Sequence, residues 1–340
     1  MNKSSAALLP PNWVTQSVST ISKLAPLQRV NWSPFEKRGV LLSIKREDML
    51  DLKLGGNKVY KLYGHLRQAK KCFGSKLKLA SFGGAWSNHL YALGAAAQQL
   101  GLPSLAIVRG EEPRTPSAML SDIRAMGTEI NYVSRSDYRQ FTEWANEEKF
   151  LLLNEMFGEH YWIPEGGGGE AGTRVYSALT EAIVEQSDLP VDLIAHACGT
   201  GTSLAGLMLG ENPGMAFLGV AVLNAGDAIE EQVSRLLSEA GKQKRSSSVS
   251  GPRWEIDTQS HCGGYAKLPP YLIDFMHRFE SETGVVLDPV YTAKLMYGLT
   301  RRAEAGEWRP GTHVVAVHSG GLQGRRGWPC FHLENKPHST

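Results

Sequence analysis

Short apolar runs alternate with longer amphipathic segments along most of this chain, and this alternation restricts the folds that it can adopt. After an early strand at residues 40–46, the predicted strands are residues 77–82, 105–108, 130–133, 193–197, 217–223 and 313–317. The predicted helices are residues 59–69, 87–100, 117–126, 136–147, 172–186, 203–209, 229–240, 270–283 and 291–305. Strands that are separated by helices of this length form βαβ units and parallel sheets. The sequence therefore predicts an α/β fold of open, parallel-type sheets with flanking helices.

The length of the chain and a run of glycines in its middle indicate more than one domain. A chain of 340 residues is long enough for two domains. A run of four glycines at residues 166–169 separates the two strand–helix series, so two α/β lobes are expected. Residues 1–35 are expected to be loop-like, and residues 241–251, rich in Lys and Ser, to form a mobile surface loop.

Charge and cysteine content narrow the class of partner. The 36 basic and 34 acidic residues nearly balance and are scattered, which argues against a nucleic-acid-binding surface. The four cysteines form no CxxC pair, so we expect reduced thiols and no metal site. No apolar run is long enough to span a bilayer, and residues 4–9 are too short for a signal-peptide core. We therefore expect an intracellular protein that acts on small molecules.

A glycine turn lies between a predicted strand and a predicted helix. It comprises Gly199, Thr200, Gly201 and Thr202, and backbone N–H groups at such a helix start can bind a phosphate. The turn is not a dinucleotide fingerprint, because the next glycine falls at Gly206 and no acidic residue follows the next strand. A monophosphate therefore fits better than a dinucleotide or a nucleoside triphosphate. The alternative is a glycine turn that binds nothing.

Lys58 follows Gly55-Gly56-Asn57 at the start of a predicted helix. The positive end of the helix dipole lowers the cost of deprotonating an ammonium at this position. A neutral lysine is a nucleophile, and it commonly forms a Schiff base with a carbonyl cofactor. The alternative is an ordinary solvated lysine, but the phosphate-type turn elsewhere in the chain favours the cofactor.

Five other polar residues are candidates for the same site. Ser87 and Asn88 lie at the start of a predicted helix, where both residue types also occur simply as caps. Tyr265 lies in a glycine-rich loop, Tyr291 begins a predicted helix, and Ser319 ends the last strand. Ligands of open α/β sheets bind at the carboxyl ends of the strands, where Ser319 is expected. Each of these five residues, taken singly, has a structural alternative.

Seven motifs in one order connect these candidates. They are Lys45-Arg46-Glu47-Asp48, Gly55-Gly56-Asn57-Lys58, Gly84-Ala85-Trp86-Ser87-Asn88-His89, Ile163-Pro164-Glu165-Gly166-Gly167, Gly199-Thr200-Gly201-Thr202, Leu287-Asp288-Pro289-Val290-Tyr291-Thr292 and His318-Ser319-Gly320-Gly321. Over roughly residues 20–322 the chain thereby resembles the pyridoxal-phosphate enzymes of fold type II, which share the tryptophan synthase β-like fold. Among them it is most similar to the 1-aminocyclopropane-1-carboxylate deaminase and D-cysteine desulfhydrase family.

The resemblance implies a role for each candidate. It implies that Lys58 forms the Schiff base, that Asn88 bonds the phenolic oxygen of pyridoxal phosphate, and that residues 199–202 bind its phosphate. It implies that Ser319 approaches the pyridine nitrogen. Ser87 is implied to bind the substrate carboxylate or to transfer a proton, and Tyr265 and Tyr291 to line the substrate side.

The resemblance also implies an architecture and a setting. It implies a larger cofactor-binding domain of residues 1–62 and 171–340 and a smaller α/β domain of residues 63–170, with the cofactor between them. It further implies a homodimer that acts on a small amino acid, while the reduced thiols expected above indicate a cytoplasmic location.

Two positions bear on the substrate. The deaminases that this chain resembles carry a Glu where Thr292 stands, and a carboxylate near the pyridine nitrogen makes the ring a stronger electron sink. Opening an unactivated cyclopropane needs such a sink, whereas a hydroxyl such as that of Ser319 suffices for losing a good leaving group. The form Ser87-Asn88-His89 also favours the desulfhydrase. We therefore expect α,β-elimination of D-cysteine to pyruvate, sulfide and ammonia.

Two alternatives stay open at this point. One is the deaminase, which would give 2-oxobutanoate and ammonia. The other is a non-catalytic ligand-binding protein, which the presence of Lys58 disfavours. The chain departs from both members of the family at residues 165–170, where four glycines lie between two acids, and at residues 322–326.

Overall fold

The apolar runs form two separate sheets in the computed structural model, which describes residues 8–143, 147–210, 214–240 and 253–331. The strands in these residues are β1 (Leu27–Val30), β2 (Leu41–Lys45), β3 (Leu79–Gly83), β4 (Ser104–Arg109), β5 (Thr128–Val133), β6 (Tyr161–Ile163), β7 (Leu193–Cys198), β8 (Ala216–Ala221), β9 (Arg253–Asp257) and β10 (His313–Val317). The predicted loop at residues 241–251 lies outside the described residues.

Helices surround these strands. They are α1 (Val18–Leu24), α2 (Ser33–Glu36), α3 (Gly56–Phe73), α4 (Asn88–Leu100), α5 (Ala118–Ala125), α6 (Arg135–Glu143), α7 (Glu147–Phe157), α8 (Gly169–Arg174), α9 (Ser177–Gln186), α10 (Thr202–Leu209), α11 (Ala228–Glu239), α12 (Pro270–Thr283) and α13 (Thr292–Ala305). The α/β fold class predicted from the sequence is confirmed.

The described residues divide into two compact units. The first falls within Met1–Tyr63 and Gly169–Leu322, and the second within Gly64–Gly168 and Gln323–Thr340. The sequence-based division assigned residues 323–340 to the larger domain, whereas the described part of that segment groups with the second unit.

The first unit contains the six-stranded sheet, in the order β1-β2-β10-β7-β8-β9. Neighbouring strands are parallel except at the edge, where β1 is antiparallel to β2. Every residue of β7 and β10 is buried, as expected for central strands covered on both faces. The carboxyl ends of β7 and β10 therefore lie near one another at one edge of the sheet.

The second unit contains the four-stranded parallel sheet, in the order β5-β4-β3-β6. Its core includes Phe82 and Trp162, whose rings stack with centroids 5.3 Å apart. Helix α4 begins directly after β3, and nine of its residues are buried. This packing holds the start of α4 in place.

The expectation that residues 1–35 are loop-like is wrong. They contain α1 and β1, and α2 begins at Ser33. Sequence periodicity missed β1, the three-residue β6, and β9, because short edge strands depend on pairing with a neighbour more than on their own pattern. The single helix expected at residues 172–186 is two helices, α8 and α9, and residues 147–157 form α7.

Three negative findings apply to the part of the chain that the structure describes. No helix there is long and apolar enough to cross a membrane. No group of three His, Cys, Asp or Glu side chains there is arranged to hold a metal ion. Cys72, Cys198, Cys262 and Cys330 are all free thiols.

Gly56 brings the start of α3 against the end of β10. It has a positive φ of 28°, and a Cβ atom placed on it would lie 2.1 Å from the carbonyl oxygen of Ser319. The next residue, Asn57, donates its backbone N–H to that same oxygen, at 3.2 Å. The position of α3 therefore requires a residue without a side chain at Gly56.

We expect Gly56→Ala to destabilise the protein by about 3 kcal/mol, because the added methyl meets a backbone that cannot move aside cheaply. Gly74→Ala is the matched control: Gly74 also has a positive φ, of 55°, but nothing lies within 4 Å of the position that its added methyl would take. That control should lose only about 1 kcal/mol. Urea denaturation followed by tryptophan fluorescence measures both, and equal losses would contradict the close approach at Gly56.

Candidate active site

Lys58 lies in the first turn of α3, and its side chain is largely buried. Its Nζ donates a hydrogen bond to Oδ1 of Asn57 at 3.0 Å. Burial lowers the pKa of Lys58 from 10.5 to about 8, and the Asp288 carboxylate opposes that shift. The prediction from the sequence explained a lowered pKa of Lys58 by the helix dipole, whereas burial is the main cause. The amine is thus close to the state in which it acts as a nucleophile or base.

Asn57 connects this lysine to a second helix. Its side-chain nitrogen donates to Oγ of Ser203 at 3.1 Å, while its oxygen accepts from Lys58. Ser203 lies in the first turn of α10. Asn57 therefore ties the Lys58 amine to the helix that follows the glycine turn.

The glycine turn lies where the sequence placed it, between β7 and α10. Gly201 precedes α10 with a positive φ of 69°, and a Cβ atom there would lie 2.6 Å from Cγ2 of Val233. The hydroxyls of Thr200 and Thr202 lie 3.0 Å apart. Because N–H groups at the start of a helix lack helical partners, this turn can bind an anion.

Gly206 has a packing role. A Cβ atom on it would lie 2.6 Å from the carbonyl oxygen of Thr173 and 2.6 Å from Cβ of Tyr176. The residue therefore allows α10 to approach the segment of α8 and Tyr176, which agrees with the absence of a dinucleotide fingerprint.

Lys61 was not among the residues selected from the sequence. It is 3 % exposed and lies one helical turn after Lys58. Burial lowers its pKa well below the usual value, the Lys58 ammonium lowers it further, and Cys198 opposes this shift. Cys198 directly precedes Gly199, so Lys61 places a buried amine close to the start of the glycine turn. The i, i+3 spacing of the two lysines was the available signal.

Tyr265 and Tyr291 contact each other beside the glycine turn. Their rings meet edge to face with centroids 6.3 Å apart, and their hydroxyls are 3.5 Å apart. A Cβ atom on Gly199 would lie 3.6 Å from Cε1 of Tyr291. The first unit thus brings both tyrosines to the edge of the sheet that carries the turn.

Ser319 follows β10 at the same edge. It is 9 % exposed, and its carbonyl oxygen accepts the N–H of Asn57. Among the described residues its hydroxyl has no hydrogen-bond partner, so it is available to a ligand. Lys58, the glycine turn, Tyr265, Tyr291 and Ser319 therefore belong to one region of the first unit.

Asp288 is a further residue of this region that the sequence did not single out. It is fully buried, and its Oδ1 accepts the backbone N–H groups of Val290 and Tyr291 at the start of α13. Its Oδ2 has no hydrogen-bond partner among the described residues. Burial raises the pKa of Asp288 to about 6. Its carboxylate favours the ammonium form of Lys58, although the effect of burial on the Lys58 pKa is larger.

Thr292 is the first residue of α13, and its side chain bonds to the backbone just before that helix. Its buried hydroxyl accepts the backbone N–H of Asp288 at 2.7 Å. The residue that stands at the position of the deaminase glutamate therefore holds the turn before α13, and it adds no charge there.

The second unit holds the remaining two candidates. Ser87 caps α4, its Oγ accepting the N–H of Leu90 at 3.2 Å, and its hydroxyl proton stays available to donate. Asn88 begins α4, and its Oδ1 accepts a hydrogen bond from Nε2 of Gln323, a residue that the sequence did not identify. Ser87 therefore bonds within its own helix start, whereas Asn88 bonds to a residue far away in the sequence.

His89 is a core residue. It is 2 % exposed, and its Nε2 lies 2.8 Å from Oγ of Ser81. Ser81 donates its proton to the carbonyl of Ile163 at 2.7 Å, so it accepts from His89. His89 thus ties α4 to β3 and β6, and its presence says little about the substrate.

Residues 21–320 match the protein family described as "Pyridoxal-phosphate dependent enzyme". The chain belongs to this family. It is therefore an enzyme with pyridoxal phosphate as its cofactor, as the sequence predicted.

Individual relatives show to which group of pyridoxal-phosphate enzymes the chain is most similar. A Pyrococcus horikoshii protein named "Putative 1-aminocyclopropane-1-carboxylate deaminase" is 32 % identical, over 88 % of each chain. The Arabidopsis thaliana "Bifunctional D-cysteine desulfhydrase/1-aminocyclopropane-1-carboxylate deaminase, mitochondrial" is 29 % identical, over 93 % of this chain and 82 % of its own. A solved "ACC deaminase homologue" superimposes with a TM-score of 0.77 at 30 % identity, covering 91 % of this chain and 93 % of its own. The enzyme thus has fold type II and belongs to the deaminase and desulfhydrase group.

The residues of the first unit fit this cofactor. Lys58 offers a largely buried amine with a pKa of about 8, which suits bonding to an aldehyde. Lys61 is a buried amine near a turn whose backbone N–H groups suit a phosphate, and a phosphate would stabilise the ammonium form of Lys61. The donor set of this chain therefore agrees with the family to which the enzyme belongs.

We expect Asp288→Asn to lower the pKa of Lys58 further, because the carboxylate that favours the ammonium form is removed. The asparagine oxygen can still accept the N–H groups at the start of α13. The rate at which cofactor-free enzyme takes up pyridoxal phosphate should then reach its half-maximum at lower pH, by about one unit. Glu280→Gln, on the neighbouring helix α12, is the charge-matched control. An unchanged midpoint in Asp288→Asn would contradict the influence of Asp288 on Lys58.

Proposed function

We propose that this enzyme catalyses α,β-elimination from a small amino acid, with D-cysteine as its substrate and pyruvate, sulfide and ammonia as its products. The observation that carries the proposal is the residue after Tyr291. A threonine stands there, and its hydroxyl accepts the backbone N–H of Asp288. The name of the Arabidopsis relative, which includes D-cysteine desulfhydrase, supports the same reaction.

The proposal assigns Lys58 two tasks. It holds the cofactor, and as a neutral amine it removes the α-proton of the substrate. When bound, pyridoxal phosphate supplies an electron sink for the electron pair that the α-carbon retains. The pKa of about 8 leaves a larger share of Lys58 neutral near neutral pH than an ordinary lysine has, and Asn57 orients its Nζ.

The other residues bind and orient. We assign the phosphate to Gly199, Thr200, Gly201 and Thr202, with Lys61 as a nearby cation. Ser319 is proposed to meet the pyridine nitrogen with its hydroxyl, which has no partner among the described residues. A hydroxyl does not keep that nitrogen protonated as a carboxylate does, so the electron sink is moderate. Loss of thiolate, a good leaving group, tolerates a moderate sink.

The second unit contributes the groups that the resemblance assigns to it. Asn88 is proposed to donate to the phenolic oxygen of the cofactor, and Ser87 to bind the substrate carboxylate or to transfer a proton. Tyr265 and Tyr291 are proposed to line the substrate side. The 50 % exposure of Tyr265 supports a role in contact with a ligand that enters from solvent.

The alternative is deamination of 1-aminocyclopropane-1-carboxylate. It is supported by the names of the Pyrococcus protein and of the solved homologue. The buried carboxylate of Asp288 adds a negative charge to this region, but its Oδ1 already accepts backbone N–H groups. The homodimer stays a prediction of the family resemblance, and the cytoplasmic location stays a prediction from the composition of the sequence.

We expect purified, cofactor-loaded enzyme to release sulfide and pyruvate from D-cysteine and no 2-oxobutanoate from 1-aminocyclopropane-1-carboxylate. L-Cysteine, assayed in parallel, measures the preference between enantiomers. Formation of 2-oxobutanoate without sulfide would replace the proposal with the alternative reaction. Colorimetric sulfide and 2-oxo-acid assays distinguish these results.

We expect Lys58→Ala to abolish both turnover and the covalent attachment of the cofactor that borohydride reduction traps. Alanine favours the helix and removes only a side chain that is not fully enclosed, so the fold should persist, as circular dichroism can check. Lys53→Ala, which removes an exposed lysine five residues earlier, is the control. Trapping that survives in Lys58→Ala, or disappears in Lys53→Ala, would refute the role of Lys58.

A further inference from the structure

The segment that follows β10 reaches the start of α4. After Ser319-Gly320-Gly321 the chain forms a short 3-10 helix, Leu322–Gly327, which groups with the second unit from Gln323 onward. Gln323 donates its Nε2 to Oδ1 of Asn88. This segment is also where the sequence departs from the family pattern.

Several contacts hold the segment in place within the second unit. Arg326 forms an ion pair with Asp122 on α5, at 2.5 Å, and its guanidinium lies 5.9 Å from the ring centre of Tyr91 on α4. The backbone at Gly327 packs on Trp86, since a Cβ atom on Gly327 would lie 3.2 Å from that ring. The contacts of Arg326 and Gly327, which follow Gln323, therefore hold Gln323 in place.

These contacts also determine which end of the Gln323 amide faces Asn88. An arginine has donors and no acceptor, and Arg326 approaches Oε1 of Gln323 at 3.5 Å and the Gln323 carbonyl at 3.3 Å. The amide oxygen of Gln323 thus faces Arg326, and its nitrogen faces Asn88. Asn88 must then use its oxygen for this bond, which leaves its own nitrogen for another acceptor.

We propose that Gln323 is a positioning residue, which fixes the amide of Asn88 so that its nitrogen donates to the phenolic oxygen of the cofactor. The proposal rests on the role proposed above for Asn88. A hydrogen bond donated to the charged form of an acidic group favours that form. Gln323 thereby favours the phenolate over the neutral phenol of the bound cofactor.

The sharpest test is Gln323→Glu. A glutamate carboxylate has acceptors only, so Asn88 has to turn its nitrogen toward it and present its oxygen to the phenolate. We expect the ratio of visible to near-ultraviolet cofactor absorbance, which reports the phenolate form, to fall by about tenfold at neutral pH. Gln98→Glu makes the same charge change at an exposed position on α4 and should leave the ratio unchanged.

Gln323→Leu separates orientation from packing. Leucine removes the bond to Asn88 without imposing the reversed orientation, so its effect on the ratio should be smaller than that of Gln323→Glu. If Gln323 merely supports the fold, leucine should have at least as large an effect as glutamate. Thermal unfolding of each variant shows whether the fold is retained.

A double variant tests whether Gln323 acts through Asn88. Asn88→Ala alone should lower the same ratio, and Gln323→Glu added to Asn88→Ala should change it no further. If Asn88→Ala has no effect, the proposed role of Asn88 fails. If Asn88→Ala lowers the ratio and Gln323→Glu does not, or if the two changes are additive, the proposal for Gln323 alone is overturned.

Discussion

The close approach of two backbones at Gly56 determines where the start of α3, and with it Lys58, lies in the first unit. The first turn of α3 contacts the carbonyl of Ser319, leaving no room for a side chain at Gly56. Lys58 lies two residues after this contact, and the same turn supplies Asn57, which reaches Ser203 at the start of α10. One steric constraint thus places the reactive lysine relative to the end of β10 and to the helix that follows the glycine turn.

Burial then gives these groups their reactivity. Lys58 and Lys61 lie one turn apart, and burial lowers the pKa of both amines because it excludes water from the ammonium form; the charge of Lys58 lowers the pKa of Lys61 further. The Asp288 carboxylate partly opposes this shift for Lys58, while burial raises the pKa of Asp288 itself. A phosphate-bearing aldehyde suits such a region, because its phosphate balances a buried cation and its carbonyl reacts with a neutral amine.

Particular elements show how far the sequence could be interpreted. The helices 270–283 and 292–305 and the strand 313–317 were predicted within one residue, because their apolar periodicity is long or their capping residues are clear. The strands β1, β6 and β9 were missed, because they are short and stabilised mainly by a neighbouring strand. Lys61 and Gln323 were missed for a related reason. Lys61 owes its role to burial, and Gln323 owes its role to a partner more than two hundred residues away in the sequence.

The sequence by itself determined the α/β class, the phosphate-type turn and the lysine that together indicate pyridoxal phosphate, because each of these is a local pattern of residue types. Only the tertiary structure decided how the polar groups are engaged. It showed that Thr292 bonds to the backbone of Asp288, that His89 bonds to Ser81 in the core, and that Gln323 presents a donor to Asn88. The physical reason is that hydrogen-bond direction and desolvation depend on which distant segments pack around a side chain, and no local spacing encodes that arrangement.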